Sequence, residues 1–137
     1  MTKTPTDKNT SGRGQRDLKV KARHESNSFQ TMLVGTRPEY IDVLNANMAE
    51  GVFFTEHDLL QASRVCVLGA DAKRALFYFE EALGEQIKIQ DQWYTVIGVL
   101  ADKGAAGGKI GGVLEVRNTD EDIYVPINTL LKRFKWE

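Results

Sequence analysis

The sequence predicts an α+β fold, a small mixed sheet with a central hairpin and two main helices packed on it. Three observations point there. Between Leu83 and Leu100 the chain reads L-G-E-Q-I-K-I-Q-D-Q-W-Y-T-V-I-G-V-L. Ile87 and Ile89 alternate with Gln86, Lys88 and Gln90, the period of a strand with one buried face. A turn at Asp91-Gln92 then leads into Trp93–Leu100, a run of strong strand formers. Second, Asp71–Glu81 and Pro38–Asn47 carry apolar residues at helical spacing. Third, Phe29–Val34, Arg64–Leu68 and Ile123–Val125 are short apolar runs, each followed closely by Gly or Pro. A chain of 137 residues forms one domain by default.

Residues 1–28 are rich in Thr, Lys, Asn, Ser and Gly and hold little large apolar surface beyond Leu18 and Val20. Such a stretch buries too little to offset its ordering entropy. Met1–Gly14 therefore reads as disordered, 1–28 as a basic, polar tail, and Leu18–Val20 as at most the start of a short strand. The folded body is expected over 29–137, beginning with the strand Phe29–Val34. Pro38 suits the first turn of a helix, with Tyr40, Val43 and Leu44 on one face, and Glu50-Gly51 breaks it. Phe53 and Phe54 are expected beside the hairpin. Thr55 looks like an N-cap with Asp58 at N3, a capping box, after which Leu59 and Leu60 pack inward.

Arg64–Leu68 is an apolar strand ending at Gly69. In Asp71–Glu81 the inward set is Ala72, Ala75, Leu76 and Phe79, broadened by Phe77. Gly98 interrupts the second hairpin strand, which marks a bulge or a close backbone approach. Val113–Val116 has weak strand character, and Asn128 or Thr129 caps a last helix holding Leu130, Leu131 and Phe134. The expected core includes Val67, Phe77, Ile87, Ile89, Val96 and Ile97.

The net charge of −1 predicts no strong attraction to nucleic acid or anionic lipid. The charge is uneven: residues 1–25 hold seven Lys/Arg against three Asp/Glu, and the remainder eleven against sixteen. One cysteine, Cys66, rules out an intrachain disulfide framework or thiolate metal site. It reads as a small buried hydrophobe. His57 and Asp58 are adjacent, and neighbours on a helix do not face each other. The glycine-rich stretch Asp102–Gly112 misses the phosphate-loop pattern, because Lys103 and Ile110 stand where Gly and Ser/Thr belong. It reads as a mobile loop. Asn118–Asp122 reads as a solvated acidic turn, since its spacing is not that of a calcium loop. No catalytic, cofactor-binding or metal-ligating residue is nominated, and no cofactor. The longest apolar runs are about six residues against the roughly 20 of a membrane span, and no signal-peptide pattern opens the chain.

The order of the blocks resembles the extracytoplasmic core domain of MacB-type ABC transporter permeases, related to the FtsX-like and lipoprotein-releasing permeases. Gly35-Thr36-Arg37-Pro38-Glu39-Tyr40 looks like that family's opening block, and Gly51-Val52-Phe53-Phe54-Thr55-Glu56-His57-Asp58 like its second, with Val52 in place of the usual Arg. Val65–Gly69, Leu76-Phe77, Leu83–Ile89, Val96–Leu100 and Tyr124–Ile127 continue the series, with Ala82 where Pro is frequent. Asp102–Glu121 matches only loosely.

The resemblance implies a partial periplasmic core domain at the extracytoplasmic face of the inner membrane. It implies a part that passes on ATPase-driven motion and contacts an adaptor protein or lipoprotein cargo, without catalytic residues of its own. The implied partners are the remaining permease segments and the ATPase. The family's membrane helices and first periplasmic part fall outside this chain, which then reads as an excised segment or a truncated reading frame, unable to transport alone. The last helix is accordingly expected to leave Leu130, Leu131, Phe134 and Trp136 uncovered, making the chain marginally stable and prone to self-association. The alternatives are an unrelated soluble enzyme or small-ligand-binding domain, and a β-rich nucleic-acid module using Trp93, Tyr94 and Lys88. The last sits poorly with an acidic body.

Overall fold

In the computed structural model, which describes residues 16–102 and 119–133, the chain opens with a long hairpin. Strand β1 (Arg16–His24) pairs antiparallel with β2 (Asn27–Thr36) along its whole length. This corrects the polar-tail reading over residues 16–28. Leu18, Val20, Ala22 and His24 alternate with Asp17, Lys19, Lys21 and Arg23, and the first set turns inward. A period of two lets a mostly polar stretch bury one face, which average composition conceals. Residues 1–15 lie outside the described residues.

Helix α1 (Tyr40–Leu44) is shorter than the expected Pro38–Asn47. Asn45 adopts the left-handed conformation, and its N–H bonds back to Ile41 and Asp42, which closes the helix. The chain then forms β3 (Met48–Gly51), an edge strand on β6, where the sequence suggested only a helix break. Helix α2 (Glu56–Gln61) begins with the anticipated capping box: the Asp58 N–H donates to Thr55 Oγ1, and the Thr55 N–H donates to Asp58 Oδ2 at 3.0 Å. Leu59 is buried, but Leu60 is 70% exposed, against expectation, because so short a helix presents only one residue per turn to the core.

Strand β4 (Val65–Leu68) leads to α3 (Ala70–Phe77), which stops short of the expected Glu81. The Leu76 carbonyl, which a continuing helix would use for the Glu80 N–H, instead accepts from Asn27 Nδ2 at 2.8 Å. His24 Nδ1 lies 3.3 Å from the same oxygen. Glu80 N–H turns to Phe77 and the chain breaks at Tyr78, whose φ is 54°. Phe79, expected to pack inward, is consequently fully exposed.

The hairpin β5 (Gln86–Ile89) and β6 (Gln92–Leu100) is present as expected, but its turn falls at Gln90-Asp91, one residue before the expected Asp91-Gln92. Opposite β4, Cys66 pairs with Val96 and Val67 with Gly98, so Ile97 is an extra residue, a bulge. The bulge shifts the alternation. Tyr94, Val96 and Val99 face one core while Ile97 and Leu100 face the other, and Ile97 is half-buried rather than buried.

A 3-10 turn (Thr119–Glu121) precedes β7 (Ile123–Pro126) and α4 (Ile127–Arg133). The helix starts directly after Pro126, so Asn128 and Thr129 sit inside its first turn rather than capping it. Their side chains reach α2 and the loop after it, donating to Leu59 O at 2.8 Å and Ser63 O at 2.6 Å. Leu130 is completely buried in the main core, against Gly35 of β2 and contrary to the expected uncovered face, while Leu131 is 44% exposed. Phe134, Trp136, Val113–Val116 and nearly all of Asp102–Gly112 fall outside the described residues.

The sheet has seven strands in the order β3-β6-β4-β7-β2-β1-β5, with parallel pairs β4–β6 and β2–β7. Strand β5 also pairs with β6, so the order returns on itself and six strands close a ring. The fold is the expected α+β arrangement with a mixed sheet. One core gathers Val20, Ala22, Leu33, Leu68, Ile87, Ile89, Tyr94 and Val96 around Ala72, Leu76 and Phe77 of α3. That helix touches β1, β2, β4 and β6. On the opposite face Val34, Val67, Leu100 and Tyr124 are covered by Leu44 of α1 and by Phe53 and Phe54, whose rings stack 4.3 Å apart.

Candidate functional site

The reactive side chains serve the scaffold. Cys66, at the centre of β4, is completely buried, and burial pushes its thiol well above the ordinary range. A thiolate nucleophile needs exposure and a neighbouring cation, so the expected packing role fits. Asp58 is engaged in the capping box, and adjacent His57 is exposed. His24 lies with its ring 4.0 Å from that of Phe77 and helps close α3. Among the described residues no group of three or more His, Cys, Asp or Glu is placed to hold a metal ion.

The acidic turn departs from its expected solvated character. Asp120 and Asp122 are buried. The Gly69 N–H donates to Asp122 O at 2.9 Å, and Thr31 Oγ1 donates to Glu121 O. Gly69 has no room for a Cβ, which would run into the Asp120 carbonyl. The turn therefore packs flat against the start of α3. On that helix the Arg74 guanidinium bonds to both Asp71 and Asp102, so it ties the end of β6 to the same corner. Gly108-Lys109 lies outside the described residues.

Two exposed surface features stand out among the described residues. The α2–α4 clamp made by Asn128 and Thr129 borders a shallow hollow of about 300 Å³ lined by Leu60, Ala62, Asn128, Leu131 and Lys132. Leu60 and Leu131 are the exposed apolar side chains there. A second projection is the Tyr78-Phe79 tip at the end of α3, held by the Lys73 Nζ bond to Tyr78 O at 3.2 Å. Sequence periodicity assigned Leu60 and Phe79 to the core. Phe79 is exposed because α3 ends before it, where a distant side chain takes the Leu76 carbonyl, whereas Leu60 lies within α2 on its outer side.

The sequence matches the MacB-like periplasmic core domain family over residues 4–137. It is similar to the macrolide export ATP-binding/permease protein MacB of Wolinella succinogenes, with 34% identity over 110 residues, 80% of this chain and 16% of the relative. The fold is similar to the crystal structure of the periplasmic region of MacB from Actinobacillus actinomycetemcomitans. There the TM-score is 0.71 and the identity 26%, over 87% of this chain and 49% of that one. The extracellular domain of the noncanonic ABC-type transporter YknZ from Gram-positive bacteria shares the fold at a TM-score of 0.69 and 24% identity, over 86% of this chain and 55% of that one. The chain thus spans about half of each solved region and a small part of the curated relative.

Proposed function

Because the chain belongs to the MacB-like periplasmic core domain family, we propose that it acts at the extracytoplasmic face of the inner membrane. There it passes ATPase-driven movement of an ABC permease to an adaptor protein or a lipoprotein cargo. Its working partners are then the remaining permease segments and the ATPase. The relative from Wolinella succinogenes is named as an ATP-binding and permease protein in one chain, which supports that context. No helix among the described residues is long and apolar enough to cross a membrane.

The observation that carries the mechanical part is the closed ring. A ring of paired strands around a close-packed core deforms little, so displacement at one edge moves the whole body. Exposed Leu60 and Leu131, held in place by the α2–α4 clamp, offer a firm contact for another chain.

The test uses a full permease carrying this domain, reconstituted with its ATPase in lipid discs. Spin labels at Leu60→Cys and Phe79→Cys should report nucleotide-dependent movement of the domain relative to the membrane, with the distance between the two labels constant. Labels that stay still through the ATP cycle, or that move against each other, would overturn the reading.

A further inference from the structure

The outer face of β1, β2, β5 and the start of β6 carries a row of cations. On β1, Lys19, Lys21 and Arg23 alternate with buried Val20, Ala22 and His24, so all three point away from the core. Strand register carries the row sideways. Lys21 lies opposite Gln30 and Arg23 opposite Ser28 on β2. Arg23 lies opposite Lys88 on β5, and Lys88 opposite Trp93 on β6. Directly paired residues share a face. Lys19, Lys21, Arg23, Gln30 and Trp93 are exposed, and the half-buried Lys88 holds its ammonium 5.6 Å from the centre of the Trp93 ring.

Acids border this face rather than neutralise it. Asp17 stands at the far end of β1, and Glu121 and Asp122 line the same hollow as Lys19. None of the four cations forms an ion pair with another described residue.

The arrangement works against the fold, since like charges set directly opposite, as Arg23 and Lys88 are, destabilise a strand pair. It also has a definite spacing: alternate residues of a strand stand roughly 6.7 Å apart. We propose that this face binds an acidic stretch of a partner polypeptide in extended conformation. Its carboxylates, at every second position, meet Lys19, Lys21 and Arg23, and the Lys88–Trp93 pair flanks them. This is a second surface, separate from Leu60 and Leu131, and it rests on the reading that the domain contacts a partner chain.

Two other anionic occupants fit less well. The strongly negative leaflet is the cytoplasmic one, whereas the relatives' solved regions are periplasmic or extracellular. A surface that lies on lipid also buries an apolar half, and here Trp93 is the one large exposed apolar group of the row. Single-stranded nucleic acid stacks on successive aromatic rings, and Tyr94, beside Trp93, is buried on the other face.

The experiment titrates the full chain with a short peptide of alternating Glu and Thr, by calorimetry at low and high salt. Binding should weaken with salt, and Lys21→Glu should weaken it about tenfold or more, while Arg37→Glu, just after β2 and exposed, leaves it nearly unchanged. Arg23→Glu separates binding from folding: it should raise the melting temperature by removing the like-charge pair, yet still weaken binding. The proposal is overturned if the peptide does not bind, or if Lys21→Glu has no effect. It is overturned equally if a peptide with its glutamates in one block binds as well, or if phosphatidylglycerol vesicles or a DNA oligonucleotide bind the same face more tightly. Because binding is read on the chain alone, its failure leaves the nucleotide-driven movement proposed above standing, and the reverse also holds.

Discussion

Gly98 illustrates how a single side-chain hydrogen can decide local geometry. A Cβ at this position would run into the Val52 carbonyl, whose own N–H donates to Ile97 O at 3.0 Å. Gly98→Ala should destabilise the chain by about 1–3 kcal/mol in urea melts, and an unchanged midpoint would mean that β3 is not held there. Cys66 supplies a second test. Its buried thiol is held protonated in the folded chain, while the unfolded thiol titrates near pH ~8.5. The stability it contributes is intact below that pH and is lost as pH rises above it, at about 1.4 kcal/mol per pH unit. The difference between wild type and Cys66→Ala in denaturant melts from neutral to alkaline pH isolates this slope; parallel curves would refute it. Both residues were legible in the sequence, Gly98 as a close approach and Cys66 as a packed hydrophobe. The bond from Asn27 to Leu76 O was not, because 49 residues separate its partners. Nothing local marks the carbonyl as taken, and so Phe79 was assigned to the wrong environment.

Among the elements, those with their own local signals are the ones the sequence located well. The capping box of α2 needs only Thr55 and Asp58, three residues apart. Thr55→Ala should cost about 1 kcal/mol, and combining it with Asp58→Ala should add less than the sum of the two, since they share the same bonds. Full additivity would show that the box is not formed. The β5–β6 hairpin was equally readable, from alternation and a tight turn. Strands β1 and β3 were not. Their side chains are too polar or too small to stand out, and they owe their conformation to β2, β5 and β6. The bulge at Ile97 belongs with them: the nearly continuous apolar run reads as core throughout, whereas Ile97 faces the side opposite Val96, and the extra residue brings Val99 back to the face of Val96.

At the scale of the whole molecule, the layer type was legible and the strand order was not. Order depends on which edges meet, and here the last strand lies between two that come much earlier. β7 runs parallel to β2 on one side and antiparallel to β4 on the other. A chain ending at residue 118 should therefore show no cooperative melt and should aggregate. A peptide of residues 119–133 added in trans should restore a soluble, folded form. A soluble, cooperatively melting truncated chain would refute this account. The same placement bears on how the protein comes off the ribosome. After β6 has emerged, β2 and β4 wait with bare backbone edges while the next residues are added at roughly 5–20 per second. Bare edges recruit other strands. The interval before β7 arrives is thus the period in which neighbouring nascent chains are most able to trap one another, and slower translation through the glycine-rich stretch before it would lengthen that exposure.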